Sequence, residues 1–157
     1  MIAQALSTDI LVTAAKEIFE TMVFMNVGLV THDKGRTTDD VVLSTITFSG
    51  DVEGCLGVCC DQASATAIAL NMLGMSPNDP LDTADIDDAM GEIANMVMGS
   101  IKSLTSDIFG EIQLSIPTVI KGAHIEYQLG EASQEMHVNV TLAIDYRADL
   151  SFLWRSA

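Results

Sequence analysis

Basic side chains are scarce in this sequence: seven Lys and Arg stand against 22 Asp and Glu, for a formal net charge of −15. A surface of that sign repels nucleic-acid phosphates and anionic lipid headgroups, so neither nucleic acid nor a membrane is expected as a partner. Long hydrophobic runs are missing too. Nowhere do 18 apolar residues follow one another, and the opening stretch from Met1 to Asp9 sets no basic region ahead of an apolar one, so the expected location is cytoplasmic. The three prolines are too few for a spacer, and 48% apolar against 18% charged residues describes a chain with a core to bury, not a disordered segment. Cysteine is limited to Cys55, Cys59 and Cys60, an odd and clustered set that suits reduced thiols and not a secreted disulfide framework. The 157 residues fit one domain, 1–157, of a size that hides about two-thirds of its unfolded surface.

Several common sites are also missing. His32, His124 and His137 are scattered, and Cys55-x3-Cys59-Cys60 lacks zinc-ligand spacing. The run Asp79, Asp82, Asp85, Asp87 and Asp88 does not fit a calcium loop and is better explained as helix capping. Gly54-Cys55-Leu56-Gly57 is neither a phosphate-binding loop nor a dinucleotide fingerprint. The chain is therefore expected to carry no metal and no cofactor of its own. A Cys–His nucleophile stays open on sequence alone, although the cysteines fall in an apolar strand where thiols are ordinarily buried.

Periodicity supplies the elements. Leu11, Ala15, Ile18, Met22 and Met25 recur at helical spacing from Ser7 to Met25, with Ser7 or Thr8 as N-cap. Asn26 to Asp40 has loop composition, with Val27 to Val30 able to open as a strand. Val41 to Cys60 predicts a β-hairpin turning at Ser49-Gly50-Asp51. Asp61 caps a helix from Gln62 to Leu73, which Gly74 closes. The most regular helix runs from about Asp85 to Leu104, burying Ile86, Met90, Ile93, Val97, Ile101 and Leu104. Three strands are expected after Gly110, within Ile112 to Ile120, Ile125 to Leu129 and Met136 to Tyr146. The order points to an α+β fold: a largely antiparallel sheet with two long pseudo-symmetric helices, about 8–25 and 85–104, packed on it.

An offset of 75 residues pairs Leu11 with Ile86, Ala14 with Ala89, Ile18 with Ile93 and Met22 with Val97. It also pairs Glu17 with Glu92 and Glu20 with Asn95. Two explanations fit: an internal duplication, or two amphipathic helices slid into register by a shared hydrophobic period.

The solvent face of the later helix carries the candidate chemistry. On a wheel with Ile86 at zero, Asp88, Asn95, Glu92, Gly99 and Lys102 fall within about 160–240°, opposite the buried stripe. A mid-helix glycine costs about 1 kcal/mol relative to alanine, so Gly99 points to a partner that needs the space. Met96 and Met98 flank the stripe as candidate contact residues.

Gly91-Glu92-Ile93-Ala94-Asn95-Met96-Val97-Met98-Gly99 resembles the E-x-x-N helix of the CheC/CheX/FliY family of chemotaxis phosphatases, which hydrolyse the phosphoaspartate of the response regulator CheY. Ser115-Ile116-Pro117-Thr118-Val119-Ile120-Lys121-Gly122 resembles the Pro-containing segment that follows that helix in the CheX branch. CheC-type members carry the motif on both helices, whereas here the first helix offers Glu17-Ile18-Phe19-Glu20 with no amide, and Phe24 stands where the later helix has Gly99. One active face, closest to the CheX branch, is expected.

The resemblance implies Glu92 pairing with a receiver lysine; Asn95 is the candidate for orienting the attacking water, because a carboxamide can accept from the water and donate to a phosphoryl oxygen, and the wheel puts Asp88, Met96, Met98, Gly99 and Lys102 at the expected partner surface. The resemblance also implies magnesium on the phosphorylated receiver partner and a homodimer joined at sheet edges. The alternative is a non-catalytic adaptor that binds a receiver domain or flagellar switch component without turnover.

Overall fold

The computed structural model describes residues 6–30, 40–123, 125 and 133–157. Seven strands form one antiparallel sheet, and three helices cover one of its faces. In chain order these are α1 (Thr8–Met22), β1 (Val27–Leu29), β2 (Val41–Gly50), β3 (Val52–Asp61), α2 (Gln62–Met72), α3 (Thr83–Leu104), the single turn α4 (Ser106–Phe109), β4 (Ile112–Leu114), β5 (Thr118–Gly122), β6 (Gln134–Leu142) and β7 (Tyr146–Ser156). The strand order is β1-β6-β7-β3-β2-β4, with β5 also paired to β2.

Local chemistry explains most of these boundaries. Asp61 Oδ1 accepts from Ser64 N at 2.7 Å and starts α2. Leu73 then ends it, and Gly74 at φ +64 turns the chain so that its N–H reaches Asn71 O and Met75 N reaches Leu70 O, a Schellman closure. Asp82 and Asp85 form a reciprocal capping box at the start of α3. Asp82 and Asp85 therefore cap, as their sequence position suggested, whereas Asp79 accepts from Ser76 N ahead of the helix and Asp87 pairs with Lys121.

The first long helix is shorter than its periodicity implied. It stops at Met22, and Phe24 follows in the left-handed region at φ +61. Met22 is 47% exposed, so the buried stripe of α1 is Leu11, Ala14, Ala15, Ile18 and Phe19, and the proposed match of Met22 to buried Val97 fails. Phe24 lies outside the helix and is no positional counterpart of Gly99. Leu104, the last residue of α3, is 44% exposed instead of buried.

Three expected C-terminal strands become four observed ones. Ile112 to Ile120 is broken between β4 and β5 by Ser115 to Pro117. Met136 to Tyr146 is not one strand: β6 ends at Leu142, Ala143 turns at φ +54, and Tyr146 begins β7. The strand expected at Ile125 to Leu129 lies outside the described residues except for Ile125, which is in none. Most of the loop expected to Asp40, together with His32 and His124, is likewise outside them.

The two halves have matching architecture. Exchanging β1 with β4, β2 with β6 and β3 with β7 leaves the strand order unchanged on reversal, and α1 packs beside α3. The correspondence is one of topology: Val41 matches Gln134 and Val52 matches Tyr146, not the residues 75 further on. The sheet edges are short strands, β1 on one side and β4 and β5 on the other. Among the described residues β1 pairs with β6 only from Val140 to Leu142, so most of β6 has no described strand on its outer side, and pairing of sheet edges between copies stays an expectation.

Candidate functional site

The course of α3 follows from two contacts. Near its start, Asp87 Oδ1 lies 2.8 Å from Lys121 Nζ, on β5 where Lys121 pairs with Val42 at the beginning of β2. Near its end, Lys102 borders a groove of about 540 Å³ with Ser49 and Gly50, at the finish of β2. Helix α3 therefore runs alongside β2. The end of α1 leads into Val27, which pairs with Leu142, and Asn26 O accepts from Ala143 N, both at the end of the sheet where β2 begins. The two long helices are consequently antiparallel neighbours. Ser100 Oγ donates to Glu17 Oε2 at 2.5 Å where they meet.

These contacts divide the surface of α3 into sectors. Asp87 and Gly91, at about 100° and 140° on the wheel, face β5 and Pro117, while Ser100, at about 320°, faces α1. The sector between is open. Asp88, Glu92, Asn95 and Lys102 are all exposed along it, and Met96 is half-buried on the α1 side. Met98 is fully buried in the core and cannot meet a partner, which removes it from the candidate contacts. Its wheel angle, near 120°, puts it on the flank that turns towards the sheet.

The two glycines of α3 serve different ends. A Cβ at Gly91 would meet Pro117 Cγ at 3.5 Å and Val119 Cγ2 at 3.7 Å, so Pro117 rests directly on that turn. A Cβ at Gly99 would meet nothing within 4 Å. Among the described residues no packing asks for glycine there.

Glu92 and Asn95 are one turn apart on a 22-residue helix whose buried side is Ile86, Ala89, Met90, Ile93, Ala94, Val97 and Ile101. Their backbone is held by the core while their side chains stay in solvent. Such a pair presents a negative acceptor beside a neutral group that both donates and accepts. On α1 the corresponding carboxylates are engaged: Glu17 binds Ser100, and Glu20 Oε2 accepts from Val27 N at 3.1 Å to tie the helix end to β1.

The cysteines do not form a second site. None of the three is in a disulfide. Burial pushes the Cys55 thiol up to about 11, partly offset by a backbone hydrogen bond from Ile46. Burial likewise raises Cys60, with the charges of Cys59, Asp61 and Asp149 adding to the effect. Cys55 and Cys60 are held as thiols, the opposite of what an activated nucleophile needs. His137 Nδ1 is 2.9 Å from Ser151 Oγ on β7. Among the described residues no group of three or more His, Cys, Asp or Glu is placed to hold a metal ion, and no helix is long and apolar enough to cross a membrane.

The exposure of Met22 and the left-handed backbone of Phe24 follow from α1 ending at Met22, which the helical period does not signal.

Comparison with known proteins agrees with this architecture. The family model for chemotaxis phosphatase CheX matches residues 42–141, most of the chain and all of α3. A sequence search of curated proteins gives no match. Among solved structures, CheX from Vibrio vulnificus superposes with a TM-score of 0.76 at 20% identity, over 94% of this chain and 95% of that one. CheX from Desulfovibrio desulfuricans does so with 0.76 at 22%, over 94% and 98%. A CheX–CheY–BeF3–Mg2+ complex from Borrelia burgdorferi contains a chain that matches with 0.69 at 16%, over 94% and 97%. At these identities the structures show a shared fold, an antiparallel sheet carrying paired helices. Together with the family match over most of its length, they show that this chain belongs to the CheX family of chemotaxis phosphatases, in the CheX branch of the CheC/CheX group.

Proposed function

We propose that this protein hydrolyses the phosphoaspartate of a CheY-like response regulator, using Asn95 to orient the attacking water and Glu92 to fix the register of docking. The observation that carries the reading is the placement of Asn95: exposed in mid-helix, its backbone immobilised by the core, in the open sector between Pro117 and α1.

An acyl phosphate needs little covalent help. Water attacks phosphorus in line, the new P–O bond forms as the bond to the aspartyl oxygen breaks, and the carboxylate leaves with the electron pair. The proton of the water goes to the departing phosphate or to solvent. The receiver supplies its own lysine and magnesium to hold the phosphoryl charge. A carboxamide suits what is left, because its oxygen accepts from the water while its NH₂ donates to a phosphoryl oxygen. Holding that water in line turns a diffusing molecule into a near-attack nucleophile.

In this reading the Glu92 carboxylate meets the receiver lysine in a charge-assisted hydrogen bond. Asp88 and Lys102 steer approach, and Met96 and the bare turn at Gly99 lie against the partner. The Borrelia burgdorferi complex, which unites a CheX with CheY, BeF3 and Mg2+, supports both the partner and the location of the metal. The expected homodimer belongs to the same proposal, and sedimentation at micromolar concentration tests it, a strict monomer contradicting it.

Phosphate release from phosphorylated receivers, with and without substoichiometric amounts of this protein, tests the activity. Acceleration is expected. An unchanged intrinsic rate together with tight binding would make the protein an adaptor.

A further inference from the structure

Two exposed apolar residues stand on the two segments that border α3, Phe24 after α1 and Ile116 beside Pro117. On the α1 side, Met22 and Asn95 lie five residues from Glu17 and Ser100 respectively, in the same direction along antiparallel helices, so they sit at the same height. Phe24 lies two residues beyond Met22, just past the end of α1. It is 75% exposed, and its backbone occupies the left-handed region at φ +61. A bulky residue there is an outlier, kept only where the surroundings impose it, and such strain concentrates at binding sites. The surroundings are visible: Val23 and Met25 on either side are buried, Val23 O accepts from Asn71 Nδ2 at 3.0 Å, and Met25 N donates to Phe19 O at 3.0 Å. The turn holds both neighbours in the core and leaves the aromatic ring in water.

The opposite wall repeats the arrangement with different parts. Ile116 is 85% exposed between two anchored neighbours. Ser115 N donates to Thr47 O and Ser115 Oγ accepts from Thr47 N, both at 2.9 Å, while Pro117 rests on Gly91. Exposed apolar groups bordering a polar strip are the composition of a protein interface.

We propose that Phe24 and Ile116 are paired hydrophobic anchors that seat a phosphorylated receiver across α3, bringing its phosphoaspartate over Asn95. The inference rests on the proposed function and assigns it two positioning residues on either side of the polar pair. Charge decides the occupant. The strip between the anchors carries Asp88 and Glu92 on a chain of net charge −15, so a second copy would bring like charge onto it. The lysine and metal beside a phosphoaspartate bring the opposite sign.

The test measures two quantities on wild type, Phe24→Gly and Ile116→Ala: the Kd for a CheY receiver loaded with beryllofluoride and Mg2+, and the kcat and KM of phosphate release. Phe24→Gly relieves the left-handed backbone and Ile116 is exposed, so the Tm of each variant should hold or rise. Each substitution is expected to raise Kd and KM about tenfold with kcat unchanged. Unchanged Kd in both variants would overturn the anchors while leaving the phosphatase reading intact. A dimer turned monomer by Phe24→Gly at unaltered Kd would also overturn them, making that wall a contact between copies. Wild type that binds the receiver without accelerating hydrolysis would refute the catalytic reading, and the Kd series would still judge the anchors. Wild type that does not bind the receiver would overturn both.

Discussion

Gly99→Ala separates what α3 needs for folding from what it needs for a partner. A Cβ at this position has no neighbour within 4 Å, so the added methyl neither clashes nor gains packing. What remains is the backbone term: alanine in a helix interior is favoured over glycine by about 1 kcal/mol, chiefly because the unfolded chain has less freedom to lose. For a domain of this length that raises Tm by about 2–4 °C. Thermal unfolding followed by circular dichroism reads the first effect. Receiver titration reads the second, which has the opposite sign: a methyl set where a partner backbone approaches should weaken docking and raise KM. Gly91→Ala is the control, since its methyl falls at ordinary contact distance from Pro117 and Val119. It should add similar stability and leave KM alone. If Gly99→Ala stabilised the fold and left both Kd and KM at wild-type values, the claim that this glycine is kept for a partner would be wrong. If it destabilised the fold, the helix reasoning itself would fail.

Other perturbations have equally definite outcomes. Glu17→Ala leaves the Ser100 hydroxyl, 8% exposed at the α1–α3 seam, without its acceptor, and should lower stability by about 1 kcal/mol in denaturant titration while kcat stays put. A large fall in kcat at full folding would give the first helix a catalytic share and contradict the reading of one active face. Gly54→Ala should be far more damaging, because its Cβ would fall 2.1 Å from Leu153 O and 2.3 Å from Phe48 Cζ. Relieving that costs about 3 kcal/mol or more, read as a lowered denaturation midpoint, and a midpoint at the wild-type value would show that the ring and strand yield freely. With its pKa raised to about 11, Cys55 should alkylate far more slowly at pH 8 in the native protein than in urea. The sign for stability follows: the native state keeps a proton that the unfolded state releases near 9, so this contribution is present below pH 9 and is lost as pH climbs towards 11. Native alkylation as fast as in urea would contradict the burial.

The parts of this fold that could be read from the chain are those where local chemistry and burial agree. Asp61 and Gly74 bound α2 because a side-chain acceptor and a positive φ act within a few residues. The β2–β3 hairpin follows from β-branched residues on either side of Ser49-Gly50-Asp51, and the exposed stripe of α3 from its period. The C-terminal strand shows a signal that went unused: Ala148, Leu150, Phe152 and Trp154 alternate with Asp149, Ser151 and Arg155, and only Leu153 breaks the polar side. Its buried residues complete the aromatic stack of Phe48, Phe109, Phe152 and Trp154. Other features depend on distant contacts. Nothing near Met22 announces that α1 stops there, since Val23 and Met25 keep the helical burial pattern after the helix has ended. Met98 could be placed beside the polar stripe on a wheel, but only the position of β5 and Pro117 shows that this flank is closed. The candidate pair was readable because Glu92 and Asn95 need nothing beyond the helix to share a face. Their walls were not, because Phe24 and Ile116 reach the site from other elements.

The most direct test of the account is single-turnover phosphate release from a phosphorylated CheY-like receiver, with Asn95→Ala compared with wild type at saturating concentrations of each. The side chain is exposed and packs on nothing in the core, so the variant should keep its Tm and its Kd for the beryllofluoride-loaded receiver. Release should nevertheless slow about a hundredfold, the cost of an attacking water no longer held in line. Release at the wild-type rate from a fully bound receiver would contradict the assignment of that carboxamide as the group that positions the water.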